Sequence, residues 1–112
     1  MRPASELNSD ELNREIARLS GWVDIKWQDL GYVRFWEGLP PESVHRKAIP
    51  DYLEWANAGK LLEEMVTNWG WEYAAWLVAK AAHKDDGTDY APPDAIRHAY
   101  YEWKRGKDAD TE

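Results

Sequence analysis

Eight Trp and six Tyr in a chain of 112 residues are the feature of this sequence that could carry chemistry. An aromatic wall beside a guanidinium group can stack a planar base and hold its phosphate. The candidate ligand-binding residues combine three Trp at or near the ends of predicted strands with nearby basic residues: Trp27, Arg34, Trp36, Arg46, Lys47 and Trp71. Five or six of the eight Trp side chains are expected in the core, because each buries a large area. In the alternative to the pocket, Arg34 only pairs across a hairpin.

The sequence lacks the residue patterns of common catalytic and metal sites. Its three His residues, His45, His83 and His98, include no i, i+4 pair, and we expect them on the surface. No Ser lies in a GxSxG sequence, and the seven Gly residues form no phosphate-binding motif. The absence of Cys excludes disulfides, thiolate metal sites and a Cys nucleophile. We therefore expect no catalytic residues, no metal, no cofactor and no enzyme activity.

Length and charge restrict the class of protein further. A chain of 112 residues predicts a single domain over 1–112, with a structured core over 8–106 and a flexible acidic tail over 107–112. Fourteen basic against 21 acidic residues give a net charge of −7, which disfavours binding to DNA or RNA and favours a basic protein partner. No apolar run is long enough to span a bilayer, and the first residues lack a secretory signal. We expect a soluble intracellular protein.

Six elements must position the candidate residues, and the hydrophobic periodicity predicts the order α-β-β-α-β-α. The helices are expected over residues 10–20, 51–66 and 92–106, and the strands over 22–27, 32–36 and 72–79. Asn8 or Ser9 caps the first helix, Asp51 caps the second, and Gly106 ends the last. The first two strands form a hairpin, and the Pro-rich segment 37–51 forms a loop. These elements predict an α+β fold, a small antiparallel or mixed sheet with helices packed on it.

The segment 69–82 fits two interpretations. Alternate residues from Trp71 to Ala79 are apolar or aromatic, as in a strand. A helix would instead group Trp69, Tyr73, Trp76, Leu77 and Lys80. Gly70 and the β-forming aromatic residues that follow it favour the strand.

Several short stretches carry a resemblance to a known family. They are Arg18-Leu19-Ser20-Gly21-Trp22, Trp36-Glu37-Gly38-Leu39-Pro40-Pro41 and Ile49-Pro50-Asp51-Tyr52-Leu53, with small residues at Ala56 and Ala58 and a last helix containing Ala95, Arg97 and Ala99. Over roughly residues 11–104, the chain resembles the phage ABA sandwich domain family of tailed phages and prophages. The resemblance implies a three-layer α/β/α sandwich, a phage origin and no shared catalytic or cofactor residues. Where the family carries Asn-Ala-Ala, this chain has Trp55, Asn57 and Gly59.

The aromatic residues, the basic cluster and the resemblance favour a phage-encoded, non-enzymatic binding protein. The leading hypothesis is a homo-oligomeric counter-defence protein that sequesters a nucleotide-type immune signal in a Trp/Tyr/Arg pocket, in the cytoplasm of the infected bacterial host. One alternative is an acidic, anti-CRISPR-like inhibitor that imitates nucleic acid and binds a basic host defence protein, with Glu54, Glu63 and Glu64 contributing. Another is an accessory protein of phage replication or assembly.

Overall fold

The computed structural model describes residues 2–84 and 87–110 and has the predicted α+β fold. The chain forms two compact units, Met1–Pro50 and Asp51–Glu112. The first unit contains a 3₁₀ helix (Ala4–Glu6), helix α1 (Ser9–Leu19) and strands β1 (Val23–Asp29), β2 (Arg34–Leu39) and β3 (Lys47–Ala48). The second unit contains helices α2 (Trp55–Trp69), α3 (Trp71–Ala82) and α4 (Pro92–Asp110). The single domain over 1–112 and the α/β/α layering stay predictions.

Helix α1 begins at a capping box, which confirms the predicted cap. The Asn8 side chain accepts a hydrogen bond from the Glu11 amide (2.8 Å), and the Glu11 carboxylate accepts one from the Asn8 amide (3.2 Å). Arg2 donates a further hydrogen bond to Glu11 at 2.8 Å. The Asn8 amide, followed by Arg2, lowers the pKa of Glu11 because both donors favour the charged carboxylate. The helix then buries Leu12 and Ile16.

Strands β1 and β2 form the predicted hairpin. They pair antiparallel, with Trp27 opposite Trp36 and Asp29 opposite Arg34. The turn closes at Gly31, which has a positive φ of 86° and donates its amide to Asp29 Oδ1 at 2.9 Å. Aromatic side chains on the two strands are therefore held in a fixed register by backbone pairing and by the turn.

Strand β3 lies within the segment that the sequence predicts as a loop, so the loop over 37–51 was wrong in part. Lys47 lies opposite Gly38, and Ala48 lies opposite Glu37. No Pro lies between 42 and 49, so the backbone there keeps the donors that a strand pair needs. The three strands form one antiparallel sheet in the order β1-β2-β3.

The helices of the second unit pack against one another, and α4 packs against both α2 and α3. Helix α2 buries Ala58, Leu61 and Met65 along one face, as the i, i+3, i+7 spacing requires. Helix α4 is buried at every position from 95 to 101. Within the described part of the chain, no helix is long and apolar enough to cross a membrane.

Two helix boundaries differ from the predicted ones. Helix α2 begins at Trp55 because the Asp51 carboxylate accepts a hydrogen bond from the Leu53 amide (3.0 Å), which forms a turn ahead of the helix rather than its cap. Helix α4 continues through Gly106 to Asp110, so the predicted stop at Gly106 was wrong. Most of the predicted tail is helical, and its last two residues lie outside the described residues.

The third predicted strand, over 72–79, was also wrong, because this segment is helix α3. Gly70 separates α2 from α3 with a φ of 81°, a conformation that glycine adopts at little cost. The segment that follows is rich in Ala, which has the highest helix propensity. The β preference of Tyr73 and Trp76 depends on packing against a sheet, so it does not override that propensity.

The prediction of a single domain can be tested with one core truncation in each unit. Leu12 and Met65 are 1% and 0% exposed, so Leu12→Ala and Met65→Ala are each expected to cost about 2–5 kcal/mol of unfolding free energy. In a single domain both variants lower the midpoint of the same cooperative transition, measured by urea unfolding with Trp fluorescence and circular dichroism. Two separate transitions, of which each variant shifts only one, would contradict the prediction.

The capping box predicts an acid-sensitive component of stability. Because the pKa of Glu11 is lower in the folded chain than its ordinary value of 4.5, its contribution is complete above that value and is lost as the pH falls through the lowered one. We expect the stability advantage of the wild type over Glu11→Gln to shrink between about pH 6 and about pH 2 in urea titrations. Glu42→Gln, in an exposed position, is the control. An advantage that is independent of pH would refute the assignment.

Candidate functional site

Three predicted site residues share one face of the hairpin. The Trp27 and Trp36 ring centroids lie 5.2 Å apart in an edge-to-face arrangement. Arg34 lies on the same face, two residues before Trp36, and forms an ion pair with Asp29 at 3.4 Å directly across the hairpin. The Arg14 guanidinium of α1 lies over the Trp36 ring, 4.8 Å from its centroid. The Arg34 contact is the cross-strand pair of the alternative interpretation. The expected burial of five or six Trp side chains was wrong, because none of the eight is buried and five are exposed.

Arg46 is held by hydrogen bonds within the first unit. Its Nε donates to Glu37 Oε1 at 2.7 Å, its Nη1 donates to Asp24 Oδ2 at 2.6 Å, and its Nη2 donates to the Asp24 carbonyl at 2.9 Å. The bond to Glu37 is the main reason that the pKa of Arg46 is raised above its ordinary value. Asp24 has a φ of 53°, which is uncommon for a residue with a side chain. Arg46 therefore links β2 to an irregular position of β1.

The remaining two predicted residues lie elsewhere. Lys47 is exposed in β3, opposite Gly38 of β2. Trp71 belongs to the second unit, where it is the first residue of α3 and is 67% exposed. Trp71 was included because it was expected near the end of a strand, and that strand is a helix.

The second unit contains a groove, which we call the α3–α4 groove, with a volume of about 500 Å³. Its lining residues are mainly aromatic and aliphatic: Trp69, Tyr73, Leu77, Lys80, Ala81, Ala99, Glu102 and Trp103. The Trp69 ring centroid lies 5.3 Å from that of Tyr73 and 6.0 Å from that of Trp103. The Trp69 ring plane is inclined by 47° to that of Tyr73 and by 75° to that of Trp103, so the three rings line a concave site at different angles.

Few charges accompany these rings. The Lys80 ammonium lies 5.0 Å from the Trp76 ring centroid and forms no ion pair with a described residue. The Lys104 ammonium lies 4.6 Å from the Trp103 ring centroid, but it is paired with Glu64 at 3.2 Å. Glu102 accepts a hydrogen bond from Arg105 at 2.6 Å, so its charge is compensated. The groove therefore offers stacking surfaces for a planar ring and one cation for an anionic group.

Metal coordination is not a feature of the described residues, in which no group of three His, Asp or Glu side chains could hold an ion. His45 and His83 are exposed, as expected. His98 is buried, so the surface prediction was wrong for it, since α4 is covered at this position. Its Nδ1 lies 2.8 Å from the Asp94 carbonyl oxygen, and its ring stacks on Tyr90 at 4.0 Å.

The groove was not predicted from the sequence, although the helical spacing of aromatic residues in segment 69–82 indicated it. The helical grouping of Trp69, Tyr73, Leu77 and Lys80 is the set that lines one wall of the groove. Trp103 completes the groove from α4. The error followed from the choice of a strand for this segment.

Comparisons with known proteins identify no relative. No family model matches the chain, and no curated protein or solved structure matches it significantly.

The contacts of Arg46 predict a stabilising role rather than a ligand-binding one. Arg46→Met removes three hydrogen bonds at once and leaves Glu37 with only the hydrogen bond from Gln28, so the thermal midpoint should fall. Arg46→Lys should restore only part of the loss, because a single ammonium does not reproduce the planar fork of the guanidinium. Differential scanning calorimetry measures both effects, with Lys47→Met as the neighbouring exposed control. Equal midpoints for Arg46→Met and Lys47→Met would refute the role.

Proposed function

We propose that this protein is a binding protein that holds a nucleotide-type small molecule in the α3–α4 groove. The observation that carries the proposal is that the rings of Trp69, Tyr73 and Trp103 line one cavity of about 500 Å³ together with Lys80. This volume is within the usual range for small-molecule sites, which are mostly apolar with a few polar groups. The groove differs from the residues predicted from the sequence, since Trp27, Arg34 and Trp36 belong to the hairpin.

A nucleotide suits the groove because its two parts match two kinds of side chain. Aromatic rings stack on any base, at about 1–3 kcal/mol per base. Lys80 supplies a positive charge for a phosphate, and no carboxylate among the described residues pairs with it. The apolar side chains of Leu77 and Ala99 exclude water from the stacked ring.

The biological role that we propose is counter-defence by a phage. The resemblance to the phage ABA sandwich domain family supports the origin, and the aromatic groove supports a binding rather than a catalytic role. In the cytoplasm of an infected bacterium, the protein would sequester a nucleotide-type immune signal of the host and so lower its free concentration. Sequestration needs tight binding and no chemistry, which agrees with the absence of catalytic motifs in the sequence.

A thermal-shift screen with purified full-length protein tests the proposal directly. The panel contains mononucleotides, dinucleotides, cyclic dinucleotides, cyclic oligonucleotides and ADP-ribose derivatives. A ligand that binds only the folded chain stabilises it by about 2.7 kcal/mol at a hundred times its Kd, so at least one class should raise the midpoint by several degrees. No shift for any class, with an intact fold, would overturn the proposal and favour the acidic inhibitor of a host protein.

Variants then test whether the α3–α4 groove is the site. Tyr73→Ala should weaken binding of the active compound in calorimetric titrations by about tenfold or more, through the loss of stacking. Lys80→Gln should weaken the binding of a nucleotide, which carries a phosphate, but leave the binding of the corresponding nucleoside unchanged. The matched controls are Tyr32→Ala, at a position that is 89% exposed in the hairpin turn, and Lys60→Gln on α2. Loss of binding in Trp27→Ala, with Tyr73→Ala unaffected, would move the site to the hairpin.

A further inference from the structure

Helix α3 presents an apolar surface to solvent. Its sequence is almost entirely Ala, aliphatic and aromatic, yet Ala74 is its only buried residue. Trp71, Tyr73 and Trp76 are 67%, 45% and 52% exposed. Helices that are apolar around most of their circumference are normally covered, and exposed patches of this kind mark interfaces.

The charges on this surface are arranged symmetrically about Trp76. Glu72 lies four residues before Trp76 and Lys80 lies four residues after it, so each charge is about 6 Å along the helix axis from the tryptophan. Both side chains belong to exposed residues, and neither has an ion-pair partner in the described part of the chain. The outward row of α3, which consists of Glu72, Trp76 and Lys80, therefore carries a negative charge, an aromatic ring and a positive charge in that order.

We propose that a second copy of this chain covers α3, with the two α3 helices antiparallel and a two-fold axis next to Trp76. In this arrangement Glu72 of each copy lies opposite Lys80 of the partner subunit, which forms two equivalent ion pairs. Parallel helices would place Glu72 beside Glu72 and Lys80 beside Lys80, so the charges select the antiparallel orientation. The charge pattern is self-complementary, which is what a two-fold interface requires.

The neighbouring row of the same helix fits this packing. Ala75 and Ala79 are exposed and lie one turn apart in the row beside that of Trp76, with Ala79 three residues after the tryptophan. Their small side chains leave a shallow groove into which a Trp76 ring of the partner subunit can pack, as ridges pack into grooves between helices. A buried aromatic anchor flanked by ion pairs at its rim is the usual anatomy of an interface. This inference does not rest on the proposed ligand.

Charge reversal tests the interface without any ligand. In sedimentation equilibrium of the full-length protein, we expect the wild type to form a dimer that dissociates on dilution. Glu72→Lys alone and Lys80→Glu alone each replace two attractive contacts with two repulsive ones, so each should weaken the dimer by roughly tenfold or more. The double variant Glu72→Lys/Lys80→Glu regenerates both pairs with reversed polarity and should regain the wild-type association constant.

Matched controls separate the pairing from a general effect of charge. Glu63→Lys and Lys60→Glu make the same changes at exposed positions of α2 and should leave the dimer intact. Circular dichroism checks that each variant remains helical. A wild type that is monomeric at all concentrations would overturn the inference, as would dimerisation that is insensitive to the single reversals or a double variant that stays as weak as they are. Association of the wild type only with another protein would assign α3 to a different partner.

Discussion

The burial of α4, which is covered at every position from 95 to 101, is the constraint on which the packing of the second unit depends. Arg97 and His98 both lie in the stretch of α4 that is buried at every position, where an uncompensated charge would be costly. Asp94 is one turn earlier on the same helix, and its Oδ1 lies 2.7 Å from Arg97 Nη2 and 3.1 Å from His98 Nδ1. The Arg97 guanidinium is thus paired with a carboxylate of its own helix, which offsets part of the cost of burying its charge.

The aromatic rings of the two units are brought together by different interactions. In the hairpin, backbone pairing fixes Trp27 opposite Trp36, so these rings are neighbours because of the sheet register. In the α3–α4 groove, Trp69 and Trp103 come from different helices, so their distance of 6.0 Å depends on how those helices pack. A ring pair held by register stabilises a sheet, whereas rings held apart by helix packing can enclose space. This contrast is why the concave candidate site lies in the helical unit.

The parts of the fold that follow from local chemistry were predictable, and the parts that depend on distant partners were not. Asn8 caps α1 within one turn, and the alternating residues of β1 and β2 specify the hairpin, so both were predicted from the sequence. Asp51 was predicted to cap α2, but its carboxylate accepts an amide hydrogen bond in the turn that precedes the helix. The same residue type favours turns and helix caps, so the sequence did not distinguish the two. The segment after Gly70 was ambiguous because its aromatic spacing fits both periods.

The candidate site was harder to predict than the fold for the same reason. Arg46 looked available for a ligand because its partner Asp24 is 22 residues away in sequence, and spacing alone does not reveal such a pair. Trp69 and Trp103 are separated by an entire helix and a loop, so only the packed structure brings them into one cavity. A sequence shows which side chains can stack or carry charge, but the neighbours of each depend on tertiary contacts.

Lys80 lies where two surfaces of α3 meet, since it lines the groove and also belongs to the outward row with Glu72 and Trp76. One ammonium carries one charge, so an anion held in the groove and a carboxylate on the outer surface would draw on the same group. Under the two proposals above, thermodynamic linkage would make ligand binding and dimer formation mutually unfavourable, by an equal factor in each direction. Binding of the proposed ligand would then dissociate the proposed dimer. The oligomeric state of the protein would therefore report how much ligand is bound.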